Sequence, residues 1–346
     1  MTSDEGTVGA PGGGTARGPI GVGAVGVVPE EETGILAELP QGDLFRFVAF
    51  SDEGLPPAPR TEELEELEPE EPEAEDPGEP QLEEETTAYY PDYNVLLQDP
   101  EVELVLVGGP LALRRDLSVR ALNAGRHVVV EPPFCETALD AERLAKTAIR
   151  RGLVATMDVK WRDDEDLRAL RAALVGENVS TIQGAFLFCA ASGAEAASSG
   201  LLEQIGVSML DQTRVVLRQD IKSISAHLQR PAPGKPDHGF LLYMPLRSGG
   251  WAICQATTLG GATFPRWTLY TAQTSFVVSG GRAVAITAGA ERTYGNPEDT
   301  VNFWQNLYDA IREGAELKCH PADIVRAMKW HEAALESDEL GEPVIV

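Results

Sequence analysis

From residue 20 onward the chain alternates short apolar runs with mixed, helix-like stretches. Residues 20–28 are small and apolar and predict a first strand, followed by a helical pattern at 34–39. The run Leu44-Phe45-Arg46-Phe47-Val48-Ala49-Phe50 reads as a second strand ending in Ser51-Asp52. Patterning resumes at Tyr90 with a short helix through Leu96-Leu97, a strand at 102–107, the turn Gly108-Gly109-Pro110, a helix at about 114–124 and a strand at 127–130. A helix at 138–151, a strand at 154–157 and a helix at 164–174 continue the alternation. Apolar strands separated by helices predict a parallel, doubly wound sheet.

The second half changes character. Extended runs at 181–189, 221–228, 240–246, 251–258, 267–272 and 275–287 dominate, interrupted by one helix at 201–218. The turns Ser248-Gly249-Gly250 and Ser279-Gly280-Gly281 predict hairpins, hence a large, mostly antiparallel sheet. Phe240-Leu241-Leu242-Tyr243 and Trp251-Ala252-Ile253-Cys254 are apolar on both alternations, which predicts burial on both faces. Helices at about 301–313 and 321–337 close the chain.

At 346 residues there is room for two domains. We divide them into a tail at 1–18, a first domain at 19–158 and a second at 159–346. No apolar run approaches the roughly 18 residues of a membrane helix. The net charge of −27 is concentrated. Between Thr61 and Thr86 stand 14 acidic residues and no basic one, so an insert at about 55–86 reads as a solvated, disordered acidic segment. An acidic chain disfavours nucleic acid as a partner. Four cysteines without a CxxC pair argue against a zinc site or a disulfide framework, and suit a cytoplasmic location.

Gly21-x-Gly23-x-x-Gly26 is the spacing that lets a backbone approach a pyrophosphate. Asp52, 26 residues past Gly26, stands where an acid can bind a ribose hydroxyl. The flank Pro29-Glu30-Glu31-Glu32 puts three carboxylates beside that turn. The local alternative is a glycine-rich strand and turn with no ligand.

Several motifs in order resemble the Gfo/Idh/MocA oxidoreductases: the stretch Tyr93 to Val107, the turn Gly108-Gly109-Pro110, the run Ala121 to Pro133, and the ending Asp309-Ala310-Ile311-Arg312-Glu313-Gly314 with Gly341-Glu342-Pro343-Val344. The resemblance implies a Rossmann domain followed by an α/β domain with an open sheet, NAD or NADP as cofactor, and hydride transfer on a sugar- or polyol-like small molecule. It implies that Gly21, Gly23, Gly26 and Asp52 bind the dinucleotide, with Gly109, Pro110 and Glu131 along its nicotinamide half. It also implies self-association through the open sheet. Asp52 without a neighbouring arginine favours NAD, because an acid repels a 2′-phosphate.

The chain departs from the family where the chemistry sits. Pro132 stands in place of the Glu-Lys-Pro lysine, and Gln204 and Ser208 replace the acid and histidine of the substrate-domain helix. None of the three titrates near neutrality. Lys160, after the strand at 154–157, is the candidate replacement. Glu203 neighbours the vacated acid position, but one step along an α-helix turns it about 100° and away from the cleft. The expected protein is a divergent NAD(P)-binding oxidoreductase; the alternative is a catalytically inactive relative that binds a nucleotide or a protein.

Overall fold

The computed structural model describes residues 18–27, 35–55, 87–190, 199–258, 264–295 and 302–346. The tail to residue 17, the flank at 29–32 and the acidic run from 56 to 86 lie outside the described residues.

The first sheet contains β1 (Ile20–Val25), β2 (Phe45–Ser51), β3 (Ala88–Tyr89), β4 (Leu104–Val107), β5 (His127–Val130) and β6 (Ala155–Met157) in the order β3-β2-β1-β4-β5-β6. Every neighbouring pair is parallel. β1, fully buried, is the point where strand order reverses, so a crevice opens beyond the C-terminal ends of β1 and β4. The predicted doubly wound sheet is thus present. The helix expected at 34–39 is not: 35–38 is a turn, in which Leu39 N–H meets the Leu36 carbonyl just before Pro40. So few residues cannot offset the cost of starting a helix.

Local sequence explains the longer helices. α3 (Ala138–Arg151) starts where the Thr137 hydroxyl accepts from Asp140 N–H. It carries Arg150 and Arg151 in its last turn and ends at Gly152 with φ 67°. α1 (Tyr93–Leu96) and α2 (Leu111–Asn123) complete the described first-domain helices.

The second sheet joins β7 (Gly184–Ala190), β8 (Ser223–Gln229), β9 (Gly239–Pro245), β10 (Trp251–Thr257), β11 (Trp267–Tyr270), β12 (Thr274–Ser279), β13 (Arg282–Thr287), β14 (Ala290–Tyr294) and β15 (Val344–Ile345). Their order is β14-β13-β12-β11-β7-β10-β9-β8-β15, with only β7 and β10 parallel. α4 (Glu165–Ala173), α5 (Val207–Leu217) and α7 (Pro321–Leu340) cover one face, where Leu242, Met244, Cys254, Trp267 and Phe276 are buried with residues of these helices. The other face carries the second set of apolar positions, which no described element of this chain covers. Leu241 and Tyr243 there are each 39% exposed. Cross-strand register sets Tyr243, Ile253, Phe186, Thr268, Val277 and Val284 in one row on that face.

The two cores are stitched by the end of the chain. Phe303, Trp304 and Leu307 of α6 (Phe303–Glu313), with Ile324 and Met328 of α7, join the first core; Trp330, Ala333 and Ala334 join the second. A buried ionic knot holds the same junction. Arg162, in the 3₁₀ turn Lys160–Asp163 after β6, donates Nε and one Nη to Asp211 of α5 at 2.7 and 2.6 Å, and its other Nη donates to the Lys318 carbonyl. Trp161 Nε1 also donates to Asp211 at 3.1 Å, while Arg214 and Arg162 both reach Asp323. Burial alone would lower the Arg162 pKa, but the Asp211 carboxylate more than offsets it and the net shift is upward.

Candidate active site

Glycines shape the crevice floor, though not where the sequence spacing places them. Gly21 and Gly23 lie inside β1, not in the turn after it. A Cβ on Gly21 would stand 1.8 Å from the Glu101 carbonyl oxygen, and one on Gly23 would meet Leu96 and Val102 at 3.0 and 3.1 Å. Close packing inside the sheet therefore accounts for these two glycines. Gly26 does occupy the turn, with φ 66°, and a Cβ there would come 2.8 Å from the Gly108 carbonyl. Gly109, with φ 71°, lies against Gly26 from the other side. The turns after β1 and β4 thus meet backbone to backbone, with the Val27 and Glu131 side chains beside Gly108. Close backbone approach of this kind is what a dinucleotide's pyrophosphate uses.

Asp52 is exposed just past β2. It accepts from the Tyr89 hydroxyl, and this raises the tyrosine pKa. The arginine that reaches this strand end, Arg120, is already paired with Glu53 and stacked 4.8 Å from the Tyr93 ring centroid. Pro110 is the N-cap of α2, beside Gly109. At the end of β5, Glu131 lies 3.6 Å from Arg114, whose guanidinium also donates to the carbonyls of Gly109 (2.9 Å), Glu131 (2.8 Å) and Pro133 (3.1 Å). Arg114 therefore clamps the β4 and β5 turns together around Pro132. Burial, the largest influence, lowers its pKa, against the pull of Glu131 and Glu203.

Glu203 is half-buried in a π-helical turn, Leu202–Gly206, ahead of α5. Glu203 is within Coulombic reach of Arg114 across the domains; burial raises its pKa, Arg114 lowers it, and the net shift is upward. The π turn rests on His331 of α7. A Cβ on Gly206 would approach the imidazole to 3.3 Å. Burial pushes the His331 pKa down to about 4, so the ring is neutral, and its Nε2 is buried without a hydrogen-bond partner. His127 behaves alike, pushed by burial to about 4 while Nδ1 accepts from Val154 N–H at 3.0 Å.

Gln204 turns back, its amide donating to the Ser199 carbonyl at 2.9 Å. Ser208 lines a cavity of about 410 Å3 beside α5, with Trp161, Asp163, Ile205, Met209, Gln212 and Arg266 among its walls. Lys160 opens the 3₁₀ turn at the edge of this region, but its side chain lies outside the described residues. The structure thus brings Gly26, Gly109, Pro110, Glu131 and Pro132 together at one crevice, with Asp52 at its β2 end. Sequence reasoning missed Gln212 and rejected Glu203. The spacing 205, 208, 209, 212 would have flagged the first, since it traces one face of a helix.

The fold joins a Rossmann-type parallel sheet to a large mixed sheet. The family model described as "Oxidoreductase family, NAD-binding Rossmann fold" matches residues 58–159, and that stretch is similar to the Gfo/Idh/MocA proteins. The chain is 25% identical over 312 residues to scyllo-inositol 2-dehydrogenase (NADP(+)) IolW of Bacillus subtilis, covering 74% of this chain and 84% of the relative. A shorter match, 42% over 62 residues and 18% of each chain, is to dTDP-3,4-didehydro-2,6-dideoxy-alpha-D-glucose 3-reductase of Streptomyces violaceoruber. Among solved structures, an NAD-binding protein from Listeria innocua superposes with TM-score 0.67 at 21% identity, over 75% of this chain and 86% of that one. An oxidoreductase from Agrobacterium radiobacter in complex with NAD+, L-tartaric acid and magnesium does so at 0.66 and 18%, over 75% and 84%. No described helix is long and apolar enough to cross a membrane.

Proposed function

We propose that the chain catalyses NAD(P)-dependent hydride transfer on a polyol or sugar, in the cleft between Arg114 and Glu203. The observation that carries this reading is the crevice where the turns of Gly26 and Gly109 meet and Arg114 pairs with Glu131, with the half-buried Glu203 within Coulombic reach of that guanidinium. Gly26, Gly109, Pro110 and Glu131 would hold the cofactor along the strand ends, and Asp52 its adenosine ribose. When bound, the nicotinamide supplies or accepts the hydride. What the chain must add is a group that takes the hydroxyl proton in oxidation and returns it in reduction. Glu203 is that group in this reading, and Lys160 is the second candidate. Asp52, with Arg120 engaged by Glu53, favours NAD over NADP.

The test is turnover of inositol with NAD+ and NADP+, alongside titration with both reduced cofactors. A base works once deprotonated, so kcat/KM rises with pH through the raised Glu203 pKa, above the ordinary value of 4.5. Glu203→Gln lowers kcat/KM by about 10²–10⁴-fold and removes the acidic limb. Unchanged turnover in that variant, with loss in Lys160→Ala, moves the role to Lys160. A non-catalytic, nucleotide-binding reading draws on Pro132, Gln204 and Ser208; hydride transfer to any polyol excludes it.

The uncovered face of the second sheet supports self-association in the same reading, since apolar patches of this kind mark interaction sites. Light scattering is expected to give a dimer or larger, and Tyr243→Glu with Ile253→Glu a folded monomer. A monomeric wild type at micromolar concentration rules this out.

A further inference from the structure

We propose that Gln212 reads a substrate hydroxyl in the cavity beside α5, and so sets specificity for polyhydroxylated ligands. This rests on the reading of the cleft as a polyol oxidoreductase site. Gln212 is 1% exposed, and its side-chain oxygen is buried without a hydrogen-bond partner. It nevertheless lines the cavity, on the face of α5 and the preceding turn that also presents Ile205, Ser208 and Met209. Native proteins leave few buried acceptors unmet, and each one calls for an explanation such as a ligand.

Three of the other polar walls are already committed, and the Ser208 hydroxyl stands in the same wall as Gln212. Asp163 accepts from Phe303 N–H at 2.6 Å and from Lys318 at 3.0 Å. Asp164 caps α4 through the N–H groups of Asp166 and Leu167. Arg266 donates to the Phe188 carbonyl at 3.0 Å. The Trp161 ring is fixed by its bond to Asp211 and, with Ile205 and Met209, supplies an apolar wall. One apolar wall and one unmet amide suit a ring whose C–H face packs on the tryptophan and whose hydroxyl donates to Gln212. About 410 Å3 is within the range of small-molecule pockets.

The test uses the full-length chain and Gln212→Met, which keeps the volume and deletes the amide. Without ligand, the variant is expected to melt at the wild-type temperature or higher, because the orphan acceptor is gone. A clear fall in melting temperature shows that Gln212 is structural and overturns the inference. Binding is then read by calorimetry with myo-inositol as the probe, with and without NADH. Gln212→Met is expected to bind the probe about ten- to a hundredfold more weakly, with NADH affinity unchanged. Equal probe affinity in the two proteins, or a wild type that binds no probe, overturns the inference. Probe binding by a wild type that binds neither NADH nor NADPH strikes the oxidoreductase reading instead and leaves the role of Gln212 standing.

Discussion

Replacing Asp211 with alanine is expected to lower the free energy of unfolding by about 3–5 kcal/mol. The carboxylate is fully buried and receives Arg162 through two bonds, plus the Trp161 indole. Removing it strands a buried guanidinium that is itself only 7% exposed. Asp323 reaches Arg162 at 3.6 Å and recovers little of the loss, because it already serves Arg214 at 3.1 Å. Urea denaturation at neutral pH measures the change. Replacing both partners, Arg162→Met with Asp211→Leu, is expected to restore most of the stability, since no charge is then left unpaired. A single variant within about 1 kcal/mol of wild type would match an exposed ion pair rather than a buried one, and would refute the knot as described. The functional consequence is geometric. Arg162 joins the end of the first sheet to the helix that carries Ser208 and Gln212, so loosening it is expected to raise KM for substrate more than for cofactor.

The second large effect separates the glycines. Gly21→Ala is expected to cost at least about 3 kcal/mol, at the upper end of overpacking penalties, because its Cβ would meet a backbone carbonyl oxygen at 1.8 Å. That oxygen belongs to the chain entering β4 and cannot swing aside. Gly23→Ala presses mainly on the side chains of Leu96 and Val102, which can yield, and is expected to cost less. Gly26→Ala adds about 1–2 kcal/mol of left-handed backbone strain and disturbs the floor of the crevice, so it is expected to weaken NADH binding as well. Melting curves and a cofactor titration on the three variants distinguish these roles. A Gly21→Ala protein as stable as wild type but defective in NADH binding would return Gly21 to the phosphate site.

Much of the architecture was legible along the chain. β5 and α3 fall at the predicted bounds because their apolar spacing and caps are local signals: Thr137 before α3, Gly152 after it. The resemblance around Glu131 and the departures at Pro132, Gln204 and Ser208 were legible too, as they concern only which residue stands where. The glycine spacing misled, since a Gly-x-Gly-x-x-Gly string carries no record of where the strand stops. Only the contacts with Glu101, Val102 and Gly108 show that two of the glycines are packing residues and one is a turn residue.

The sequence by itself determined the two-sheet α/β plan and the order of its elements, because periodicity and capping are properties of the string. Tertiary structure decided which side chains face the cleft. The fold brought Glu203 within Coulombic reach of Arg114, the packing of α5 left the Gln212 oxygen unmet beside a cavity, and no described element covers the second face of the large sheet. These follow from long-range packing, in which residues more than a hundred positions apart set each other's orientation.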